Sequence, residues 1–416
     1  MFDPAQIDAA VISHAHIDHS GYLPRLMRDH FRGDIYCTRP TADLLNILLP
    51  DAAFLQEEEA SYANRKGYSK HHPALPLYDL ADAQAALRKM RPKPFGKTFD
   101  VSESVAVHYR RAGHILGAAL VEVQIQLNKM QQHKLVFSGD LGRPHQTIVR
   151  DPEPVEEADT LMVESTYGDR IHAKDAIGNL KRVIMETYAR GGVLLIPAFA
   201  VGRTQELLWM IHQLEEAGQI PIQPVYVDSP MAIDASRIYA DHPDEHHLKL
   251  TDEAGRGKNP FGTKRLTFCK RPEESKAINN MQGPMIIISA SGMAAGGRVL
   301  HHLHLRLSDE KNTILLAGYQ AVGTRGRTLQ DGATKLKMFG EEVPINAKIE
   351  MLDGMSAHAD QSEILGWLSG FKKPPKQTFI VHGEPSSSQA LADAIKKRFG
   401  WQNVRPARDS ETIELN

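Results

Sequence analysis

The residues best equipped for chemistry lie near the start of the chain, in Ser13-His14-Ala15-His16-Ile17-Asp18-His19-Ser20, where three histidines and an aspartate fall within six residues. Side chains two apart on extended backbone point the same way, so His14 and His16 can grip one cation together. Asp18 and His19 lie past the strand end and can face a second position. Six further positions place His, Asp or Glu directly after an apolar strand or in a glycine-flanked turn: His114, Asp140, Glu164, His358, Asp360 and His382. Functional side chains cluster at strand ends in α/β architectures, so these positions together imply one assembled site. A solvated His-rich loop is the weaker reading, because buried imidazoles and carboxylates need partners. The chemistry such a set could do is metal-assisted hydrolysis. Two divalent cations about 3.5–4 Å apart activate water and neutralise phosphate oxygens. Three histidines form a catalytic zinc set, and a further histidine held by a carboxylate can supply a proton to the leaving group.

These residues need strands to present them and turns to aim them. Ile7-Asp8-Ala9-Ala10-Val11-Ile12 reads as a buried strand ahead of the first cluster, with a helix opening after Gly21. Residues 40–66 read as helix with a break at Pro50 and an exposed Glu57-Glu58-Glu59 face. Strands are expected at 105–109, 119–127, 134–138 and 160–163. Turns bearing His114 and Asp140 fall between or after them, and Glu164 follows the last. From about Asp169 the pattern alternates helices with short parallel-type strands, through a polar, glycine-containing stretch at 255–262. A strand over 348–351 then precedes Ser356-Ala357-His358-Ala359-Asp360, and one over 378–381 precedes His382-Gly383-Glu384. Asp360 reads as the N-cap of the next helix, given Glu363 three residues on.

A chain of 416 residues exceeds one ordinary core and implies two domains. Its two cysteines, Cys37 and Cys269, exclude a disulfide framework and a thiolate zinc site, which points to the cytoplasm and leaves metal binding to the 20 histidines and the carboxylates. A formal net charge of −2 argues against a broad basic surface for duplex nucleic acid. No apolar run reaches the length of a membrane span, and the N-terminus has no secretory pattern.

The run His14-Ala15-His16-Ile17-Asp18-His19 resembles the HxHxDH motif of the metallo-β-lactamase fold, followed as in that fold by a lone His114 and a lone Asp140. Glu164 looks like motif A of the β-CASP branch, His358 like motif B and His382 like motif C. Pro197-Ala198-Phe199-Ala200-Val201-Gly202-Arg203-Thr204-Gln205-Glu206 also resembles a β-CASP signature. The resemblance is to β-CASP ribonucleases, prokaryotic relatives of the polyadenylation-complex endonuclease. It implies an α/β protein: a metallo-β-lactamase αββα sandwich (apparently lacking its first strands, which precede this motif in the family) with an inserted α/β β-CASP domain. The implied boundaries are 1–168 and 347–416 for the sandwich and 169–346 for the insertion. It implies two zinc ions, one held by His14, His16 and His114 and the other by Asp18, His19 and His382, with Asp140 bridging. His358 would be the general acid, oriented by Glu164. The implied activity is hydrolysis of RNA phosphodiesters by two-metal hydroxide attack, endo or exo, in RNA processing or decay. Histidine at motif C favours RNA over DNA.

Substrate contacts are expected from two glycine-rich stretches after buried strands, at Ser291, Arg298, Gly323, Thr324 and Arg327. Backbone amides there can cradle phosphate and the arginines can add charge. The competing reading makes those glycines ordinary tight turns. His71, His72, His242, His246, His247, His301, His302 and His304 read as surface residues. The expected partner is single-stranded RNA, without a membrane and with a homodimer left open. Two alternatives stay open: a small-molecule metallo-hydrolase of the same fold, and an inactive RNA-binding homologue on account of the short N-terminus.

Overall fold

The structure is a computed structural model, and it describes residues 3–67, 69–173, 175–248 and 259–415. The chain divides into two compact units: Met1–Ile171 with His358–Asn416, and His172–Ala357. In chain order the first unit opens with β1 (Ala9–Val11), α1 (Ile17–Ser20), α2 (Leu23–Arg28), β2 (Asp34–Thr38), α3 (Arg39–Lys66) and α4 (Leu80–Arg88). It continues with β3 (Met90–Lys93), β4 (Thr98–Ser102), β5 (Val105–Arg111), β6 (Ala119–Asn128), β7 (Gln131–Phe137) and β8 (Thr160–Glu164). The second unit holds α5 (Ala176–Ala189), β9 (Val193–Pro197), α6 (Arg203–Glu216), β10 (Val225–Asp228), α7 (Pro230–Asp241), β11 (Leu266–Phe268), α8 (Pro272–Asn279) and β12 (Met285–Ser289). It ends with α9 (Val299–Arg306), β13 (Thr313–Leu316), α10 (Arg325–Gln330), β14 (Lys335–Met338), β15 (Glu341–Pro344) and β16 (Lys348–Met351). The chain returns to the first unit for α11 (Gln361–Leu368), β17 (Gln377–Val381), α12 (Pro385–Phe399) and β18 (Val404–Pro406).

In the first unit a seven-stranded sheet runs β18-β17-β8-β7-β6-β5-β4, and a three-stranded sheet runs β1-β2-β3. Apolar residues alternate along β5 and β6, so one face of the larger sheet carries Val107, Tyr109, Ala119 and Val121, packed with Val11 from β1 and Phe99 from β4. Tyr36 of β2 lies against Phe99, ring centroids 5.3 Å apart. These contacts join the two sheets of a metallo-β-lactamase sandwich.

In the second unit a six-stranded parallel sheet runs β11-β10-β12-β9-β13-β16. Continuous apolar strands such as Val193–Pro197 and Met285–Ser289 are buried along their whole length, as a parallel sheet covered by helices requires. This is the inserted α/β domain that the alternating pattern implies.

Four expectations need correction. The strand over 348–351 does not begin the returning half of the first domain. Its backbone pairs with β13, so the compact division falls at Ala357/His358 rather than 346/347. The helix over 40–66 is not broken at Pro50: α3 continues through it for 28 residues, since a proline inside a helix removes one hydrogen bond without forcing the chain out. The strand ahead of His14 is three residues long and only half-buried. His302 and His246 are buried rather than on the surface: His302 pairs with Asp228 at 2.8 Å, and His246 Nε2 lies 2.9 Å from the Tyr239 carbonyl. Part of the 255–262 stretch lies outside the described residues.

Candidate metal centre and its family

Sheet order explains why residues far apart in sequence meet. β7, β8 and β17 are neighbours and mutually parallel, so their carboxyl ends lie side by side. Those ends deliver Asp140, Glu164 and His382. β6 is antiparallel to β7, which puts its start, and the His114 turn before it, at the same edge. The segment after β1 joins that edge where the Ala119 amide donates to the Ser13 carbonyl at 2.9 Å. His358 arrives when the Ala359 amide donates to the Leu141 carbonyl at 2.7 Å. Asp360 then caps α11, its side chain accepting from the Glu363 amide.

Two donor sets result. In the first, His16 Nδ1 lies 3.2 Å from both His14 Nε2 and His114 Nε2. Asp140 Oδ2 lies 3.3 Å from the same two Nε2 atoms. In the second, His19 Nε2 lies 3.2 Å from His382 Nε2 and 3.1 Å from Asp140 Oδ1. Asp18 Oδ2 lies 3.3 Å from His382 Nε2 and 3.6 Å from His19 Nε2. The two oxygens of Asp140 thus face different sets.

These spacings fit divalent cations. Ligand atoms about 2.0–2.1 Å from one tetrahedral centre stand about 3.3–3.4 Å apart. The first set has three imidazoles and a carboxylate oxygen in four close contacts, and three neutral rings with one N–H each cannot fill all four by hydrogen bonds. Asp140 Oδ1 is buried with His19 Nε2 at 3.1 Å and His382 Nδ1 at 3.3 Å but makes no well-directed hydrogen bond among the described residues, an arrangement that suits a cation shared between them. Burial holds the His14, His16 and His114 imidazoles below their ordinary value, His16 at about 3. Burial alone would raise Asp140, but His358, His14 and His19 outweigh it and hold the carboxyl well below the usual range. Neutral imidazoles and an ionised carboxylate are the forms that bind a metal.

Neighbouring hydroxyls touch two of these rings. The Ser13 hydroxyl lies 3.2 Å from His14 Nδ1, and the Thr166 hydroxyl lies 3.1 Å from His382 Nδ1. Neither residue carries a sequence signal: a hydroxyl beside a ligand-type residue is common, and Thr166 reaches its partner across 216 positions of chain. His382 itself has a left-handed backbone, φ 52°, held by Ser165, whose hydroxyl donates to the Val381 carbonyl. Such strain in a non-glycine residue points to a functional position.

His358 stands between the sets, its ring centroid 4.5 Å from that of His114. Its Nδ1 lies 3.0 Å from Glu164 Oε1 and 3.9 Å from Asp140 Oδ2. Burial would lower this imidazole, but the Glu164 and Asp140 charges prevail and push it up to about 9. Glu164 is itself buried and accepts from the Leu141 and Thr166 amides at 2.8 and 3.1 Å, so its carboxylate cannot swing away.

Relatives share this chain throughout its length. Ribonuclease TTHA0252 of Thermus thermophilus is 35% identical over 416 residues, covering 100% of this chain and 89% of that protein. An RNase J-like protein of Methanocaldococcus jannaschii is 32% identical, covering 98% of this chain and 88% of that protein. The chain belongs to the β-CASP ribonuclease family of the metallo-β-lactamase fold. The family model of the Beta-Casp domain matches residues 204–329, and that of the Zn-dependent metallo-hydrolase RNA specificity domain matches 342–406. Transcription termination factor FttA of Methanosarcina mazei is 32% identical over the whole chain, which spans 64% of that longer protein. Membership in this family of Zn-dependent metallo-hydrolases indicates divalent-metal binding, and the two donor sets are groups that could hold the metal.

The five expected substrate contacts lie in the second unit, and three of them have work within the fold. Arg298 pairs with Asp228 at 2.8 Å and donates to the Cys269 and Lys270 carbonyls. Thr324 caps α10, its hydroxyl accepting from the Arg327 amide and donating to the Ala321 carbonyl. The Ser291 hydroxyl accepts from the Ala295 amide at 3.3 Å. Arg327 pairs with Asp331 on an exposed helix turn, and Gly323 has open space around its Cα. Among the described residues no helix is long and apolar enough to cross a membrane.

Proposed function

We propose that the chain hydrolyses single-stranded RNA at a centre of two zinc ions. His14, His16 and His114 would hold one, Asp18, His19 and His382 the other, and Asp140 would bridge them. Bound there, the ions would supply Lewis-acid chemistry, making water acidic enough to attack at neutral pH and neutralising the phosphate oxygens. The protein residues supply the rest. A water oxygen, its proton released to solvent, adds to phosphorus, the bond from phosphorus to the leaving oxygen breaks, and that oxygen takes a proton from His358 Nε2, which solvent later restores. Glu164, hydrogen-bonded to Nδ1, holds the ring in place and stabilises its charged form before the transfer. Burial of the Asp140 and Glu164 carboxylates keeps bulk water away, which strengthens every charge interaction in the site.

The observation that carries this reading is the division of Asp140: one oxygen 3.3 Å from the first donor set, the other 3.1 Å from the second. RNA as substrate is supported by the ribonuclease relatives and by the match to the RNA specificity domain. The test compares cleavage of an RNA, a DNA of the same sequence and a thioester by the wild-type chain, Asp140→Ala and His358→Ala. RNA alone should be cut by the wild type, with rates down at least 100-fold in both variants. Equal RNA cleavage by Asp140→Ala, or faster thioester turnover, would sink the proposal.

A further inference from the structure

The loop after β9 in the second unit is built to hold an aromatic ring out. The hydroxyl and amide of Thr204 both donate to the Phe199 carbonyl, at 2.8 and 3.2 Å. Gln205 accepts from the Gly202 amide at 2.7 Å and donates to the Ala200 carbonyl at 3.1 Å. The Ala198 amide donates to the Ser289 carbonyl at the end of β12. Phe199 thus projects from a locked backbone, yet its side chain is 40% exposed. The ring rests on Gly292: a Cβ there would stand 2.9 Å from its Cδ2, so only glycine admits the ring at this depth. Single exposed apolar side chains are ordinary; what distinguishes Phe199 is the hydrogen-bonded backbone that carries it and the glycine its ring rests on.

Next along the chain, Arg203 opens α6 and is 8% exposed. Its Nη1 donates to Glu206 at 2.7 Å, while Nε has no partner among the described residues. A guanidinium presents five N–H donors, and burying one beside a single carboxylate leaves it under-satisfied. Gly318, after β13, faces it. A Cβ at Gly318 would lie 3.7 Å from Nη2 and 3.9 Å from Nε, in contact with the guanidinium and covering it. Gly318, whose backbone φ of 126° itself favours glycine, places no side chain against this edge, and Nε is buried there. β12, β9 and β13 are consecutive in the sheet, so all of this lies at the carboxyl ends of its central parallel strands, where α/β sheets bind ligands. The two glycine-rich loops are also tied together: Gln320 donates to the Gly292 carbonyl at 3.2 Å, and the Gly326 amide to the Met293 carbonyl at 3.0 Å.

We infer that this edge is a nucleotide subsite, in which Phe199 stacks one unpaired base and Arg203 takes a phosphate next to it. The inference rests on RNA as substrate. Stacking on an exposed ring requires a splayed base, so the subsite selects single strands over duplex. A guanidinium matches a phosphate through paired N–H donors.

The test scans a short RNA with one abasic position at a time, binding it to the metal-loaded His358→Ala chain by fluorescence anisotropy. One position should cost roughly 5- to 150-fold in affinity. In His358→Ala/Phe199→Ala the intact RNA should bind weaker by the same factor, and the abasic change at that position should then cost nothing. His358→Ala/Phe199→Trp should restore binding, with its indole fluorescence quenched by RNA. A neutral methylphosphonate beside the sensitive base should weaken binding, which tests the Arg203 contact without altering the protein. In the cleavage-competent chain, Phe199→Ala should raise KM and leave kcat within twofold. RNA bound equally with and without the Phe199 ring, or an abasic cost that persists in Phe199→Ala, would overturn the inference while leaving RNA cleavage standing. A wild-type chain that neither binds nor cuts RNA would overturn the proposed function itself.

Discussion

In the proposed reaction Glu164 would act through His358 rather than on substrate. It accepts two backbone amides and lies 3.0 Å from the His358 ring, so its charge is held beside that imidazole. Glu164→Gln keeps the shape and removes the charge. Turnover of RNA should fall about 100- to 1,000-fold, within the range of general-acid contributions. Zinc content by mass spectrometry should not change, because Glu164 belongs to neither donor set. Loss of zinc together with activity would show that it supports the metals instead. Arg298 is the opposite case. Its spacing after a buried strand suits phosphate, yet its partner Asp228 lies 70 residues away and takes the charge.

That pair belongs to the scale of elements. Asp228 ends β10 and is fully buried, bonded by Arg298, His302 of α9 and Ser275 of α8. Burial alone would raise its carboxyl, but His302, Ser275 and Arg298 outweigh it and lower it. A depressed folded value contributes stability above the unfolded carboxyl value, about 3.9, and loses it as pH falls through the folded one. Asp228→Asn should therefore destabilise the chain by about 3 kcal/mol near neutral pH. The gap in urea midpoint from wild type should shrink below about pH 4; a gap that widens there would contradict this assignment. A second element-scale device is Gly142. Its amide donates to the Ala112 carbonyl at 2.7 Å, and a Cβ would fall 1.7 Å from the Gly113 carbonyl oxygen. That close approach is what brings the His114 and Asp140 turns together. Gly142→Ala should weaken zinc binding by about 10- to 100-fold, measured by competition with a chelator. Unchanged affinity would mean that the turns can part without disturbing the donors.

The elements also show which features sequence can reveal. His14, His16, Asp140, Glu164 and His382 stand at strand ends because apolar runs stop beside them, a local signal. The ladder between β13 and β16 is not local, so nothing in the sequence around 348–351 marks the unit to which that strand belongs. Thr166 and Ser13 act through single hydroxyls with no periodicity to expose them. His302 sits in a His-rich helix that looks solvated until the carboxylate opposite it is known.

At the scale of the whole molecule, the two donor sets bring together residues 14–19, His114, Asp140 and His382. The candidate site therefore needs nearly the whole chain, from residue 14 to residue 382. A formal net charge of −2 means that RNA must be gripped by local groups rather than by overall attraction. The central claim is that two divalent ions in this centre make the chain cut RNA. Its most direct measurement is cleavage of an end-labelled single-stranded RNA by chelator-stripped protein, titrated with zinc. The stripped chain should cut nothing, and full activity should come only as the second equivalent binds. Cleavage by stripped protein, or intact RNA after both equivalents are bound, would contradict it.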